Sequence, residues 1–409
     1  MTSTEPADID AYDPWDPDVL ADPYPYFARL RAESPVHHVA QHDIWIVSRY
    51  EDLVSATRNV VVFSSNQGNS YQNRPVPMLV GLDPPEHTRV RRVVSRHWTP
   101  RVINLLAPRI ERLCDEIIER ALGDGADLGS VDFLVDIAEP LPVTLIAEIM
   151  GVPTEDRENF RKWSDATVDQ MAGPPTEENE ALIGEFASYF LDLVMKRQKD
   201  YDEGTADIDD PNDMLGILFG RTPDGDRLAP EEIIAMCILL VVAGNETTTN
   251  LIANMCVELA ARPEVWEAVA RDMSLMPSLI EESIRFLSPV QGLFRNTLVD
   301  ADLGGVTIPA DSKVFMCYAS ANRDTDKWAD ADVFRLDRYP AAPADADHVA
   351  FAPGIHLCLG AHLARLEAGV MFTKLIERVE RFEVNGEIVR GTNPSIRGIK
   401  RLPVRVTLR

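Results

Sequence analysis

Phe351-Ala352-Pro353-Gly354-Ile355-His356-Leu357-Cys358-Leu359-Gly360 runs straight into Ala361-His362-Leu363-Ala364-Arg365-Leu366-Glu367-Ala368-Gly369-Val370, a stretch with helical apolar spacing. Cys358 therefore sits just before a helix N-terminus, where free backbone N–H groups and the helix dipole favour a thiolate. Gly354 and Gly360 flank it, and backbone without side-chain bulk lets a flat group lie close. Two other readings of the loop are open. A lone cysteine in a loop is usually a small buried apolar residue. His356, Cys358 and His362 are close enough to share a zinc ion, but structural zinc sites use paired clusters and no second cluster is visible.

The same spacing argument extends to a second stretch. Pro230 suits a first helical position, and Glu231 and Glu232 suit the positive end of the dipole. The pattern runs from there to Arg262, before Pro263, a rod of roughly 50 Å at about 1.5 Å per residue. Its first half is apolar on all sides, as expected of a helix through a core. Its centre, Ala243-Gly244-Asn245-Glu246-Thr247-Thr248-Thr249, is poor helix material: Gly costs about 1 kcal/mol against Ala and each Thr roughly half that. Broken local rules in an otherwise consistent element often mark function. Gly244 admits bulk against the backbone, and the Thr247 hydroxyl can turn to the carbonyl of Ala243. An acid beside an alcohol can pass protons into a dry pocket. A kinked core helix with satisfied threonines explains the pattern equally well.

The rest of the chain sets bounds. Its 409 residues, 45% hydrophobic, can bury a large core, and a net charge of −26 opposes binding to nucleic acid or an anionic membrane. The polar start has no signal-peptide character, and the longest uncharged apolar stretch, 233–244, is shorter than the roughly 20 residues a membrane span needs. A cytoplasmic protein without membrane insertion is expected. Five scattered cysteines without a CxxC pair fit a reducing compartment. Helical patterns cover 101–122 and 180–197, strand patterns 44–47, 314–317 and 404–408. The acidic stretch 201–213 reads as an exposed loop inside one domain. The fold class is mainly α with minor β, one domain over 1–409 with an extended segment at about 1–20.

FAPGIHLCLGAHLA resembles the haem-binding loop F-x-x-G-x-H-x-C-x-G-x-x-L-A of the cytochromes P-450. Three further matches follow the family's order. AGNETT (243–248) is similar to its oxygen-activation segment, Glu282-Ser283-Ile284-Arg285 to its E-x-x-R helix, and FRLDR (334–338) to the segment supplying a second arginine. An E-x-x-R alone is uninformative; the ordered set carries the resemblance. ADPYPYFARLR near the start and DPPEHTRVRR (83–92) are also similar to soluble bacterial members. Ala352-Pro353 and Thr325 depart from the family's usual residues.

The resemblance implies a triangular helical body around haem b with small β-sheets, and a monooxygenase that inserts one atom of O2 into a lipophilic small molecule. It implies Cys358 as axial ligand, His87, Arg91, Arg295 and His356 as propionate partners, and Gly244, Phe351 and Gly360 against the haem. Thr247 and Glu246 become the catalytic alcohol and acid, and Glu282, Arg285 and Arg338 a structural network. The substrate pocket maps to Met78, Leu79, Leu82, Leu239, Leu240, Ala243, Val290, Leu293, Phe294 and Ile399, of which Leu239 and Leu240 are equally well read as core. The basic residues Arg89, Arg92, Arg96 and Arg101 offer a face to a small acidic ferredoxin, reduced in turn by a ferredoxin reductase. A peroxide-driven haem-thiolate enzyme and a haem-based sensor are the alternatives.

Overall fold

The computed structural model describes residues 9–75, 77–123, 130–153, 156–174, 176–208, 212–221, 225–339 and 346–409. Helices dominate. They are α1 (Pro17–Ala21), α2 (Tyr24–Glu33), α3 (Tyr50–Arg58), α4 (Glu86–Ser95), α5 (Pro100–Ile103), α6 (Ala107–Leu122), α7 (Pro140–Met150), α8 (Arg157–Ala172), α9 (Glu177–Asp202), α10 (Met214–Leu218), α11 (Pro230–Ala261), α12 (Pro263–Arg271), α13 (Met276–Leu287), α14 (Tyr318–Ala321) and α15 (Ala361–Arg378). Strands are short: β1 (Val36–Val39), β2 (Ile44–Val47), β3 (Phe63–Ser64), β4 (Ser130–Asp132), β5 (Leu293–Thr297), β6 (Ala301–Leu303), β7 (Val306–Ile308), β8 (Lys313–Met316), β9 (Val379–Val384), β10 (Val389–Arg390), β11 (Ile399–Arg401) and β12 (Pro403–Leu408). The main sheet runs β1-β2-β8-β5-β3, and a second runs β4-β12-β9.

α11 is the axis. Pro230 opens it, and Glu232 accepts from the N–H of Ala229 at 2.8 Å, closing one orphan donor of the first turn. α7, α8, α9, α13 and α15 pack around it, and most of its length is buried. It is long and apolar enough to cross a bilayer, but two thirds of its most apolar window is covered by the protein's own side chains.

Three expectations change. The helix expected over 101–122 is broken: α5 ends at Ile103, a 3-10 turn covers 104–106, and α6 restarts at Ala107. Pro108 gives the reason, since it has no N–H to continue the ladder and its ring clashes one turn back. The N-terminal segment is not extended where it is described, because α1 forms with Asp16 accepting from the N–H of Asp18. α9 continues to Asp202, so the acidic stretch begins inside a helix; its residues 209–211 lie outside the described residues. At its end Asp213 accepts two bonds from Arg197, at 3.0 and 2.7 Å, tying the stretch to α9.

Candidate active site

The cysteine loop is held as a closed unit before α15. The Cys358 N–H donates to the Phe351 carbonyl at 2.8 Å, and the Leu357 N–H to Gly354 at 3.2 Å. Gly354 takes φ +85°, and a side chain there would meet the Thr57 carbonyl of α3 at 3.0 Å. Cys358 is exposed, while Cys114, Cys237, Cys256 and Cys317 are buried. Protein crowding still pushes the Cys358 thiol up, against the lowering pull of the Gly360 N–H, Arg91 and Arg365. A metal ion at sulfur outweighs such a shift and deprotonates the thiol outright. Phe351, half-buried, lies under the Arg365 guanidinium at 4.6 Å, and Glu281 clamps that guanidinium at 2.5 and 2.9 Å.

Four cationic or potentially cationic groups converge beside the loop. The His87 and His356 rings meet edge-on at 4.7 Å, and His356 shares a 3.0 Å hydrogen bond with the Ser65 hydroxyl. Arg91 donates to the Leu357 carbonyl at 2.6 Å, and Arg295, 4% exposed, donates to the Phe294 carbonyl at 2.7 Å. Burial pushes His87 down to about 4, with Arg91 adding to it. It pushes His356 down to about 2, with Arg295, His87 and Arg91 adding. His87 Nε2 is buried with no protein partner, and Trp98 Nε1 is another such donor. Among the described residues no salt bridge joins these four groups to a carboxylate. Crowded donors of this kind stand ready for an anionic group.

On α11 the hydroxyl of Thr247 donates to the Ala243 carbonyl at 2.7 Å, the bond expected from the sequence, and the helix continues unbroken through it. Ala243 is exposed halfway along a helix that is otherwise mostly buried, and Gly244 and Thr247 are half-buried beside it. Glu246, 9% exposed, accepts from Asn250 Nδ2 at 3.0 Å. Asn250 in turn accepts from the N–H of Ile399 at 2.9 Å, so it ties the acid to β11. Burial raises the Glu246 carboxyl above its ordinary value, opposed by Lys400 and the Asn250 bond and reinforced by Asp165 and Asp169.

A poised cysteine before one helix and an acid–alcohol pair on another, with an anion-ready cluster between loops, is a constellation with relatives. The cytochrome P450 family model matches residues 169–395. Cytochrome P450 109 of Bacillus spizizenii is 36% identical over 400 residues, 95% of this chain and 92% of that protein. This chain belongs to the cytochrome P450 family. Vitamin D(3) 25-hydroxylase of Pseudonocardia autotrophica is 37% identical over 395 residues, 93% of each chain. The structure of CYP109E1 from Bacillus megaterium in complex with testosterone matches with a TM-score of 0.84 at 31% identity, over 95% of this chain and 98% of that one. The chain is a cytochrome P450 monooxygenase, mainly α with minor β.

Family members carry haem, and the residues present fit it: an exposed sulfur, a glycine-flanked loop, and the unpartnered His87 Nε2 beside Arg91, Arg295 and His356. The E-x-x-R pair is buried. Glu282 and Arg285 are 0% exposed and joined twice at 2.7 Å, and Arg338 reaches Glu282 at 3.2 Å. Arg285 also donates to the carbonyls of Asn322 and Ala331 at 2.7 and 2.9 Å. The pair knots α13 to the segment before the cysteine loop, which is a structural position.

The pocket positions divide. Met78, Leu82, Leu239, Val290 and Leu293 are half-buried and Ala243 is exposed, as a lining requires. Leu79, Leu240 and Ile399 are core residues at 5, 7 and 3% exposure. Phe294 is a correction: on β5 it alternates away from Leu293 and Arg295 and packs with Phe27 and Phe315 in a separate core, 1% exposed. The partner face divides too. Arg92, Arg96 and Arg101 are exposed, but Arg89 turns inward to pair with Glu232 at the start of α11. Residues missed from sequence are Ser65, Trp98 and Asn250. Asn250 was legible, one turn beyond Glu246 on the same helix face; Ser65 and Trp98 come from segments whose position only the fold sets.

Proposed function

We propose that this P450 hydroxylates or epoxidises a lipophilic small molecule with electrons from NAD(P)H, delivered by a ferredoxin reductase and a small acidic ferredoxin, and that it works in the cytoplasm as one domain over 1–409. The observation that carries the reading is the exposed Cys358 in a glycine-flanked loop on one side, with exposed Ala243 and half-buried Thr247 on α11 on the other. Haem b bound there would supply O2 activation, and the Cys358 thiolate would hold it.

The chain's own residues do the remaining work. His87, Arg91, Arg295 and His356 would hold the propionates, and burial lowers both imidazoles below their ordinary value before any anion is bound. Thr247, its hydroxyl proton already donated to the Ala243 carbonyl, presents oxygen lone pairs to a water. Glu246, whose carboxyl burial raises above its ordinary value, hands over protons. The apolar side chains of Met78, Leu82, Leu239, Val290 and Leu293 exclude water and select a lipophilic substrate. The 25-hydroxylase of vitamin D(3) and the testosterone complex of CYP109E1, both among the relatives, support a bulky polycyclic or terpenoid-sized class.

The test is an optical titration of the ferric protein with sterols, terpenoids, fatty acids and aromatic compounds, following the haem spin state. A low- to high-spin change with one class, and product from that class with a surrogate ferredoxin pair, is the expected result. Turnover with peroxide but not with the ferredoxin pair contradicts the electron route.

A further inference from the structure

Lys313 is a buried amine that none of the roles above uses. β5 and β8 pair antiparallel, with Asn296 directly opposite Lys313 and Phe294 opposite Phe315, so alternation puts all four side chains on one face of the main sheet. The loop 66–75 folds over that face. The Phe294 N–H donates to the Asn69 carbonyl at 3.0 Å, and Asn296 Nδ2 donates to Gln67 Oε1 and Asn73 Oδ1 at 3.1 and 3.2 Å. Within the loop the Arg74 N–H closes back onto the Gln67 carbonyl at 2.9 Å. Gly68, at φ +87°, permits that closure: a Cβ there would lie 2.5 Å from the Arg74 carbonyl oxygen.

Lys313 ends beneath Asn73. It is 7% exposed while Asn73 itself is exposed, so the cover over the amine is thin. Nζ donates to Asn73 Oδ1 at 2.8 Å and to Asn296 Oδ1 at 3.1 Å, and lies 5.8 Å from the centre of the Phe294 ring. Among the described residues no carboxylate pairs with it. Two amide oxygens match the two N–H donors of a neutral amine, whereas an ammonium brings a third donor and a charge. A cation held there without a counter-ion is costly to bury.

We propose that Lys313 makes the seating of the 66–75 loop proton-linked: the loop settles over the neutral amine and loosens when the amine takes up a proton. Settling releases one proton to solvent, and loosening takes one back. The loop begins beside Ser65, which bonds His356, and leads on to Met78 and Leu82, so its seating sets one wall of the substrate pocket. That last consequence rests on the pocket reading above; the linkage itself does not.

The electrostatics run the same way. Burial pushes Lys313 down to about 8, and Arg295 on β5 adds to it. The other charged or titratable groups on the surrounding segments are engaged elsewhere. In the loop, Arg74 pairs with Glu180 at 3.6 Å and Tyr71 packs on Phe294 at 6.2 Å; ahead of β2, His42 pairs with Asp13 at 2.9 Å and Asp43 with His38 at 3.1 Å. A base lowered by closure binds fewer protons when closed, so seating strengthens as pH rises through about 8 toward the ordinary 10.5.

The experiment is hydrogen exchange, read by mass spectrometry on the haem-loaded full chain, with protection normalised to the intrinsic rate at each pH. With the amine at about 8 under the loop and at its ordinary value when free, protection of 66–75 is expected to rise about tenfold from pH 7 to pH 9, while the amides of α6 do not follow. Lys313→Met carries no proton and Lys313→Arg remains a cation, so both profiles are expected to be flat. A flat wild-type profile overturns the linkage, as does a rise that persists in Lys313→Met or is shared by α6. If Lys313→Met does not fold, Lys313→Arg and the wild-type profile decide alone. The pocket consequence is read by optical titration of the ferric haem with phenylimidazole, whose affinity is expected to rise with pH in step with protection in wild type and not in Lys313→Arg. Protection that rises while this affinity stays flat upholds the linkage and overturns the placing of Met78 and Leu82 at the pocket.

Discussion

Ala352 adopts φ +57°, a left-handed conformation that costs an L-residue with a Cβ roughly 1–2 kcal/mol. The turn is needed because the loop must bring Phe351 back over Cys358, whose N–H bonds to the Phe351 carbonyl. Ala352→Gly should therefore stabilise the fold by up to about 1 kcal/mol, after allowing for glycine's freer unfolded chain. Thermal unfolding of haem-loaded protein measures it; a lower Tm contradicts the strain. At Thr247 the effect is on chemistry. Its hydroxyl is fixed on Ala243 with Glu246 next to it, so Thr247→Ala should keep electron consumption but divert it to peroxide, cutting product per electron at least about tenfold. Unchanged product per electron removes Thr247 from the proton path. The sequence showed both features in different degrees. Thr247 and its partner one turn back follow from helical spacing alone, whereas the strain at Ala352 depends on how the loop closes.

Helices carry their information in spacing, and so does β12, whose alternation marks 404–408 as a strand, but β5 does not. α11 was legible nearly to the residue because Pro230 and Pro263 bracket an apolar run. β5 was not read from the sequence, and Phe294 was placed in the pocket only by its position in the family motif order, since a five-residue strand buried on both sides has no alternation to decide inward from outward. α15 holds a further consequence. Glu367 is 1% exposed, its Oε2 has no partner, and burial pushes its carboxyl well above the ordinary value. It folds as a neutral acid. Its folded pKa is raised, so folding takes up a proton; full stability is present below the unfolded value near 4.5 and is lost as pH rises above it. Glu367→Gln should flatten the fall of unfolding free energy with pH above about 5, measured by denaturant titration at several pH values. A variant curve parallel to wild type shows that the carboxyl ionises freely in the fold.

Across the whole molecule, charge is the most informative composition-level quantity. Against a net −26, Arg92, Arg96 and Arg101 are exposed; Arg92 lies on α4, which touches the Cys358 loop through Arg91 and Leu357, Arg96 just past its end, and Arg101 on α5. A small basic area on an acidic protein steers an acidic partner while the remaining surface repels it. Double reversal, Arg92→Glu with Arg96→Glu, should slow reduction by a surrogate acidic ferredoxin about tenfold or more, in a salt-dependent way, and leave the substrate dissociation constant unchanged. Equal reduction rates place the docking face elsewhere. Architecture was legible at this scale because four motifs occur in order. The anion-ready cluster was only half legible, since His87, Arg91, Arg295 and His356 come from distant segments, and their lack of a carboxylate partner among the described residues appears only in the fold.

Every role proposed for this chain depends on Cys358 binding the haem iron as a thiolate. The direct measurement is the reduced carbonyl spectrum of haem-loaded wild type, of Cys358→Ser, and of variants lacking each of Cys114, Cys237, Cys256 and Cys317. The expected result is the red-displaced thiolate band in wild type and in the four buried-cysteine variants, and its loss in Cys358→Ser. A thiolate band that survives in Cys358→Ser, or that disappears with one of the buried cysteines, would contradict it.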